Sequence, residues 1–510
     1  MIPLTLGKIA EIVGGQLDQV SDPDAVVTGS VEFDSRKVGP GSLFIALPGA
    51  RVDGHDHAEA AVAAGAVAVL AARAVGAPAI IVDPVPIDAP SRAMALEHDR
   101  DGSGAAVLAA LGKLARSVVD TLTADTLTSG GLTVVGVTGS AGKTSTKDLL
   151  AAVLAPLGPV VAPPGSFNNE LGHPWTALRA DPQTRSLVLE MSARGRGDVA
   201  ALAKIAPPRI GVVLNVGTAH LGEFGSQEAI ALAKGELVEA LPSAEDGGVA
   251  VLNADDRLVS AMASRTSARV VLVGRSESAQ VRATDVTVDE SARARFTVHT
   301  PVGSRQVALS VHGEHQVGNA LAALAVALEC GLDLDEAVAA LDAAVPVSAR
   351  RMEVRDRTDG VTVINDSYNA NPDSMRAGIK ALVSMAKSGR DAERRSWAVL
   401  GEMAELGDNS VVEHDAIGRF AVRLDVSRLI VVGTGRPARA MHQGAVMEGS
   451  WGEESMLVPD AAAAIAVLEE ELEPGDVVFV KASQAVGLWQ VAEALFASEP
   501  RVDSGAGKTQ

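Results

Sequence analysis

The sequence predicts an α/β protein of three domains, and three observations predict it. The chain has 510 residues, too many for one hydrophobic core. Residues 132–150, LTVVGVTGSAGKTSTKDLL, run from an apolar β-branched strand through a Gly-rich turn into a helix-compatible segment. From 132 onward strands alternate with helices, and the alternation restarts after PVSARRM (346–352). The division expected is a small N-terminal α/β domain over 1–128, a central domain over 129–346 and a smaller, Rossmann-like α/β domain over 347–500. The polar tail 501–510 is expected to be disordered.

Before residue 130, SLFIAL (42–47) and AVAVL (66–70) read as buried strands around the helix AEAAVAAG. Residues 83–104 are rich in Pro, Asp and Ser and read as a loop insertion, followed by a helix at about 105–121 and a linker. Central strands are expected at 132–138, 186–190, 209–216, 248–253 and 269–274, which argues a mostly parallel, phosphate-loop ATPase-like sheet. Period-2 alternation over 281–312 predicts an antiparallel extension, and helices follow at 317–329 and 334–343. In the last domain, VTVIND, WAVLGEM, RLIVVG and DVVFVKAS read as strands, with helices from Pro372, Val411 and Asp460 and one at the end. Gly433-Thr434-Gly435 is only a fragment of a dinucleotide fingerprint, and the GAGKT in the tail has neither strand nor helix around it.

Composition narrows the class. Net charge is −20, from 44 basic and 64 acidic residues, which argues against a nucleic-acid binder. A single cysteine, Cys330, excludes an internal disulfide and fits a reducing compartment. The N-terminus lacks the basic and long apolar regions of a signal peptide, and Glu59, Gly65 and Arg73 interrupt the Ala/Val-rich stretch 58–75. A cytoplasmic monomer with no membrane partner is the expectation.

The turn Thr138-Gly139-Ser140-Ala141-Gly142-Lys143-Thr144-Ser145 is the recipe for a triphosphate cradle. Glycines let the backbone wrap phosphate oxygens, and the helix N-terminus aims free N–H groups at them. Lys143 would reach the β/γ-phosphates and Thr144 would offer its hydroxyl to Mg²⁺. The strict G-x-x-x-x-G-K-S/T pattern needs glycine where Val137 stands, so the loop is a variant.

Polar clusters sit at other strand ends: Asn168-Asn169 in SFNNELGHP, Glu190, His220 in NVGTAHLGEFGS, and Lys234 in a helical stretch. Singly each has a bland reading: a solvated carboxylate, a loop histidine, a surface lysine. With the phosphate loop they resemble the Mur ligases of peptidoglycan synthesis, ATP-dependent amide-forming enzymes, over nearly the whole chain. Residues 33–70 are similar to the UDP-binding domain of members that add the later peptide residues. NDSYNANPDSM (365–375) and GEMAELGDNSVVEH (401–414) are similar to the member that adds D-alanyl-D-alanine to UDP-N-acetylmuramoyl-tripeptide, while the DNPR motif of the diamino-acid-adding member is absent.

The resemblance implies roles. Lys143 and the loop amides hold ATP; Thr144 and Glu190 bind one Mg²⁺ and His220 a second; Lys234 is the lysine carbamylated by CO₂, an anionic oxygen ligand suited to Mg²⁺. Asn168 and Asn169 orient substrate, Asn319 binds adenine, and Arg351 and Asp366 come to the nucleotide from the C-terminal domain. Asp34, Ser35, Arg36 and Gly49 belong to the UDP site, and Tyr368, Asn369, Asn371, Lys481 and Ser483 to the dipeptide site. Three positions depart from the family pattern: Gln316 for asparagine, Ser192 for glycine, and Lys481-Ala482-Ser483-Gln484 for Lys-Gly-Ser-Arg. Two alternatives stay open here: a related superfamily ligase, either the diamino-acid-adding Mur enzyme or a folylpolyglutamate synthetase, and a non-catalytic ATP-binding protein.

Overall fold

The computed structural model of the chain describes residues 1–49, 52–86, 94–124, 131–218, 221–387, 394–449 and 455–497. Its larger sheets occupy successive stretches of sequence. The first has five strands in the order Gln16–Asp18, Ala79–Ile81, Ala66–Ala71, Ser42–Ile45, Val31–Glu32. The last two are parallel neighbours, so the turns that follow them, around 34–37 and 46–49, emerge at one edge.

The helix Ser103–Ala124 is longer than the expected 105–121. Asp99 and Asp101 explain its early start: their carboxylates accept the N–H groups of Gly102, Ala105 and Ser103, so the acidic insertion caps the helix. Leu108, Leu111, Leu114, Ala115, Val118 and Leu122 recur at helical spacing on its buried face. They pack in one continuous core with Leu43 and Leu70 of the first sheet and with Leu178, Leu187 and Leu189 of the central region. The insertion's residues 87–93 lie outside the described residues.

The central sheet has nine strands in the order Gly303–His312, Arg293–Thr300, Val281–Val288, Arg269–Gly274, Val249–Asn253, Ile210–Val213, Thr133–Thr138, Ser186–Glu190, Val160–Val161. Pairing is parallel up to Val281–Val288 and antiparallel beyond it, as the change of period predicts. Ser186–Glu190 lies on one side of Thr133–Thr138, and the next strand in sequence, Ile210–Val213, lies on the other. The chain therefore changes direction across the phosphate-loop strand, which opens a crevice at its carboxyl end.

The C-terminal sheet has six strands in the order Glu353–Asp356, Thr362–Asn365, Val477–Lys481, Ser396–Leu400, Arg428–Val432, Ser455–Val458. All pairs are parallel except the first hairpin. The helix Arg436–Glu448 and the strand Ser455–Val458 extend the expected alternation, and Gly433-Thr434-Gly435 forms the turn into that helix. No described helix is long and apolar enough to cross a membrane. The tail 501–510 lies outside the described residues.

Candidate active site at the phosphate loop

The strand Thr133–Thr138 delivers the Gly-rich turn to the start of the helix Lys143–Leu154. Gly142 caps that helix at φ 85°, a left-handed conformation that favours glycine. Asn215, just past the neighbouring strand, grips the turn from the side. Its Oδ1 accepts the Ala141 N–H at 2.9 Å, its Nδ2 donates to the Ala141 carbonyl at 3.1 Å, and its own carbonyl accepts the Ser140 N–H at 3.1 Å. Nothing in the local sequence singles out Asn215 beyond its place at the end of an apolar strand, where open sheets place ligands. Thr138 is fully buried and donates to the Met191 carbonyl at 2.9 Å, tying two strands together.

Lys143 donates to the Gly139 carbonyl at 2.6 Å across the mouth of the cradle. Burial lowers its pKa, the Glu190 carboxylate raises it and Arg351 lowers it. The Thr144 hydroxyl lies 2.7 Å from the Ser166 hydroxyl and 3.3 Å from Glu190 Oε2. Glu190 is fully buried, its Oε2 accepts from Asn168 Nδ2 at 3.2 Å, and its Oε1 is buried without a partner. Burial pushes its carboxyl up, against the pull of the Lys143, Arg351 and Lys147 cations. An orphaned carboxylate oxygen beside a hydroxyl at a phosphate cradle fits a hard cation such as Mg²⁺, which takes one or two carboxylates plus substrate phosphates. Among the described residues no three His, Cys, Asp or Glu side chains gather as a ready-made metal cage.

Ser192 puts its departure from the family pattern to use. Its hydroxyl donates to the Asn168 carbonyl at 2.8 Å and its N–H donates to the same oxygen at 3.1 Å, holding the Asn168 loop against Glu190. Asn169 commits its side-chain oxygen to the Gly172 N–H at 2.9 Å and starts the short helix Gly172–Ala177 inside what the sequence presents as a loop. Asn319 is buried and donates to Gln316 Oε1 at 2.8 Å, so the glutamine keeps an amide contact at the position where the family has asparagine. A Cβ on Gly142 would stand 2.7 Å from Asn319 Oδ1, which places Asn319 against the cradle.

Lys234 lies on the helix Gln227–Glu239 and is 3% exposed. Burial pushes its amine well below the usual lysine range and the Lys143 cation adds to the effect. Its side chain makes no hydrogen bond or ion pair with any described residue. His220, expected to hold the second Mg²⁺, lies outside the described residues.

The C-terminal domain closes over this site. Arg351 Nη2 reaches Ser166 Oγ at 3.0 Å and Thr144 Oγ1 at 3.4 Å, while its guanidinium stacks 4.2 Å over the Tyr368 ring. Asn371 Nδ2 donates to the Ser140 carbonyl of the cradle at 3.4 Å. Asp366 accepts the Met352 N–H at 3.1 Å and is ion-paired with Lys481, whose ammonium also donates to the Asn369 carbonyl at 2.8 Å.

Comparison with known proteins gives this constellation a family. The sequence matches the Mur ligase family catalytic domain over residues 29–113, the Mur ligase middle domain over 137–327 and the Mur ligase glutamate ligase domain over 350–484. It is 62% identical over 514 residues to the UDP-N-acetylmuramoyl-tripeptide–D-alanyl-D-alanine ligase of Mycobacterium tuberculosis, covering 98% of this chain and 99% of that one. The chain belongs to the Mur ligase family.

Its Escherichia coli relative of the same name is 34% identical over 437 residues, covering 85% of this chain and 86% of the relative. Crystal structure I of MurF from Acinetobacter baumannii superposes with a TM-score of 0.80 at 28% identity, covering 97% of this chain and 99% of that one. The MurF ligase of Thermotoga maritima in complex with ADP superposes at 0.72 with 29% identity, covering 92% and 97%.

Two expected substrate regions of this Mur ligase have definite geometry. Asp34 caps the turn Ser35–Lys37, and its carboxylate takes Arg36 Nε at 2.8 Å and Nη2 at 2.9 Å. That pairing holds the Asp34 carboxyl down at about 2 and leaves the Arg36 side chain 87% exposed. Phe33 packs with Phe167 and Trp175, and Trp175 Nε1 donates to the Val31 carbonyl at 2.7 Å, so this turn is tied to the Asn168 loop. Gly49 is exposed at the same sheet edge. In the C-terminal domain, Ser483 Oγ accepts the Ala404 N–H at 2.8 Å, Asn371 caps the helix Pro372–Lys387 through the Ser374 N–H, and Ala482 packs against Gly401.

Proposed function

We propose that this Mur ligase joins D-alanyl-D-alanine to the terminal carboxylate of UDP-N-acetylmuramoyl-tripeptide with ATP, releasing ADP and phosphate, in peptidoglycan precursor synthesis in the cytoplasm. The observation that carries the ligase chemistry is the meeting of two domains over the cradle, where Arg351 reaches the hydroxyls of Thr144 and Ser166 beside Glu190. The choice of substrates rests on the relatives whose names state them, one of them 62% identical along the whole chain. The same reading places domain boundaries at 128 and 346, between the family matches.

A carboxylate is a poor acyl donor, because its leaving group would be oxide. Transfer of the γ-phosphoryl group gives an acyl phosphate with a good leaving group. The phosphoryl group in flight needs positioning and charge neutralisation more than covalent help. Lys143 and the loop amides supply both, and Arg351 adds a second cation from the C-terminal domain. The dipeptide gives up one ammonium proton to attack the acyl carbon as the free amine, and a second proton leaves the nitrogen as the amide forms. The tetrahedral oxyanion faces the same cations and collapses to amide and phosphate. Asn371 and Arg351 bring the C-terminal domain onto the cradle, which keeps water from the acyl phosphate.

Thr144 and Glu190 would hold one Mg²⁺, and His220 with carbamylated Lys234 would hold the other; the ions supply charge neutralisation for the phosphates. Burial and the Lys143 cation both push the Lys234 amine toward its uncharged form, the form that reacts with CO₂, and no carboxylate among the described residues pairs with it. Arg36 and the turn at Gly49 would receive the UDP group, Asn319 the adenine, and Tyr368, Asn369 and Asn371 the dipeptide. The decisive measurement is ADP release with UDP-N-acetylmuramoyl-tripeptide, with and without D-alanyl-D-alanine. Release that depends on both substrates supports the reading; release indifferent to the dipeptide rejects it.

A further inference from the structure

We propose that Glu402 receives the ammonium group of the incoming dipeptide. The proposal deepens the ligase reading above and rests on it. Three parallel strands of the C-terminal sheet end level with one another, with Leu400 paired to Lys481 on one side and to Val431 on the other. The strand Val477–Lys481, last in the chain, inserts between Thr362–Asn365 and Ser396–Leu400. That reversal opens a crevice at the carboxyl ends, the place where open α/β sheets take ligands.

The carboxylates in the segments leaving these strands differ in one respect. Asp366 is answered by Lys481 and Glu405 by Arg194, while Asp408 stands out in solvent. Glu402 is half-buried, and its side chain makes no hydrogen bond or ion pair with any described residue. Its backbone is nevertheless fixed. The Glu402 carbonyl accepts the Ser483 N–H at 3.0 Å, and a Cβ on the preceding Gly401 would stand 2.8 Å from the Ala482 Cβ. On the other side, His414 Nε2 accepts the Met403 N–H at 2.9 Å. A nitrogen that accepts there carries no proton, so His414 is neutral and supplies no counter-charge. The Glu402 backbone is therefore fixed while no cation among the described residues pairs with the carboxylate.

The three substrates of the reaction differ in charge. The nucleotide is a polyanion, whereas the amine donor enters as a zwitterion whose ammonium end suits a carboxylate partner. Glu402 also stands on the correct side of its domain. Three residues further on, the Glu405 carbonyl accepts the Gly222 N–H of the central domain at 3.3 Å and the Glu405 carboxylate takes Arg194 at 3.0 Å. Across from Glu402, a Cβ on Gly435 would stand 3.7 Å from its Oε2, so the backbone of Gly435 lies beside the carboxylate. Gly435 also begins the helix Arg436–Glu448, whose dipole favours an anion nearby. A role limited to that dipole would alter stability and not the choice of substrate.

Steady-state kinetics on the full chain separate the two. In Glu402→Gln, which keeps shape and removes charge, KM for D-alanyl-D-alanine should rise about ten- to a hundredfold, as expected for loss of one charge-assisted hydrogen bond. KM for ATP and for the UDP-tripeptide should stay within about twofold, and Glu402→Asp should recover part of the loss. Positional isotope exchange in ATP with the UDP-tripeptide alone, which reads acyl phosphate formation, should continue. An unchanged dipeptide KM overturns the proposal, as does a parallel rise in all three KM values with a lowered melting temperature. Failure of the wild-type enzyme to use this dipeptide would overturn the functional reading and this inference together; wild-type turnover with an indifferent Glu402→Gln overturns the inference alone.

Discussion

Lys143 folds back onto the Gly139 carbonyl at 2.6 Å, a contact that a phosphate oxygen would replace with a stronger, charge-assisted one. Its removal costs the fold one hydrogen bond but takes a cation from the phosphoryl group in flight. Lys143→Ala should lower turnover by roughly a thousandfold or more with an unchanged melting temperature; near-normal ADP release at saturating ATP would reject the assignment. Lys234 calls for a different test, because its proposed form is an anion made from a neutral amine. Lys234→Ala should be inactive and partly rescued by acetate or a similar short carboxylate, and a lack of rescue at any carboxylate concentration counts against the carbamate. His173 makes a pH prediction. It is fully buried, and burial holds its pKa at about 4. The unfolded value is about 6.5, so between these limits the folded state binds fewer protons than the unfolded one. The stability is fully present above about pH 6.5 and is lost as pH falls toward 4, at up to about 1.4 kcal/mol per pH unit. His173→Gln should flatten the melting-temperature profile across that window, and an unchanged slope would refute it. At this scale the sequence made the phosphate loop legible, because glycines, lysine and flanking periodicity all act locally. Asn215, Ser192 and Gln316 were not legible in their roles, because each acts on a residue brought near only by strand order.

Elements were legible where their periodicity was uninterrupted. The strand Ser186–Glu190 falls on its expected bounds, and the antiparallel extension follows from the period change alone. The helix Gly172–Ala177 was hidden because Pro174 and Gly172 signal a turn, while Asn169 supplies a cap from just outside it. Arg436–Glu448 was obscured by its polar composition, because its buried stripe of Ala438, Met441, Gly444 and Ala445 holds only one large apolar residue. The helix Ser103–Ala124 was expected, but its service to two sheets was not, since a one-dimensional pattern does not say which surfaces a buried face meets. Leu111 sits on it with no exposure, in a core that joins the first sheet to Leu187 and Leu189 of the second. Leu111→Ala should destabilise by about 2–5 kcal/mol. Because the core is shared, the N-terminal and central domains should unfold together in urea; separate transitions followed by probes in the two domains would show that the core does not couple them.

Over the whole molecule, function depends on how the C-terminal domain meets the central one. The contacts ring the cradle: Arg351 on Ser166, Asn371 on the Ser140 carbonyl, and the 401–407 loop on Gly222. The third contact is the most constrained. A Cβ on Gly222 would stand 2.6 Å from the Gly407 nitrogen, and Glu405 adopts φ 63°, a left-handed conformation unfavourable for a residue with a side chain. Arg194, four residues beyond Glu190, binds Glu405 at 3.0 Å and approaches Glu223 at 4.0 Å. The pair is about one-third exposed on each side, so its attraction is worth only about 0.2–1 kcal/mol. Charge reversal is a stronger probe than deletion, because it replaces attraction with repulsion at a backbone contact that has no slack. Arg194→Glu and Glu405→Arg should each lower kcat/KM several-fold, by opposing closure over the acyl phosphate. The double swap restores the opposite charges and should recover a measurable part of that loss, with a coupling of about 1 kcal/mol. Losses that simply add in the double variant would mean that each residue acts through another partner, and that closure is held by Arg351 and Asn371 without this bridge.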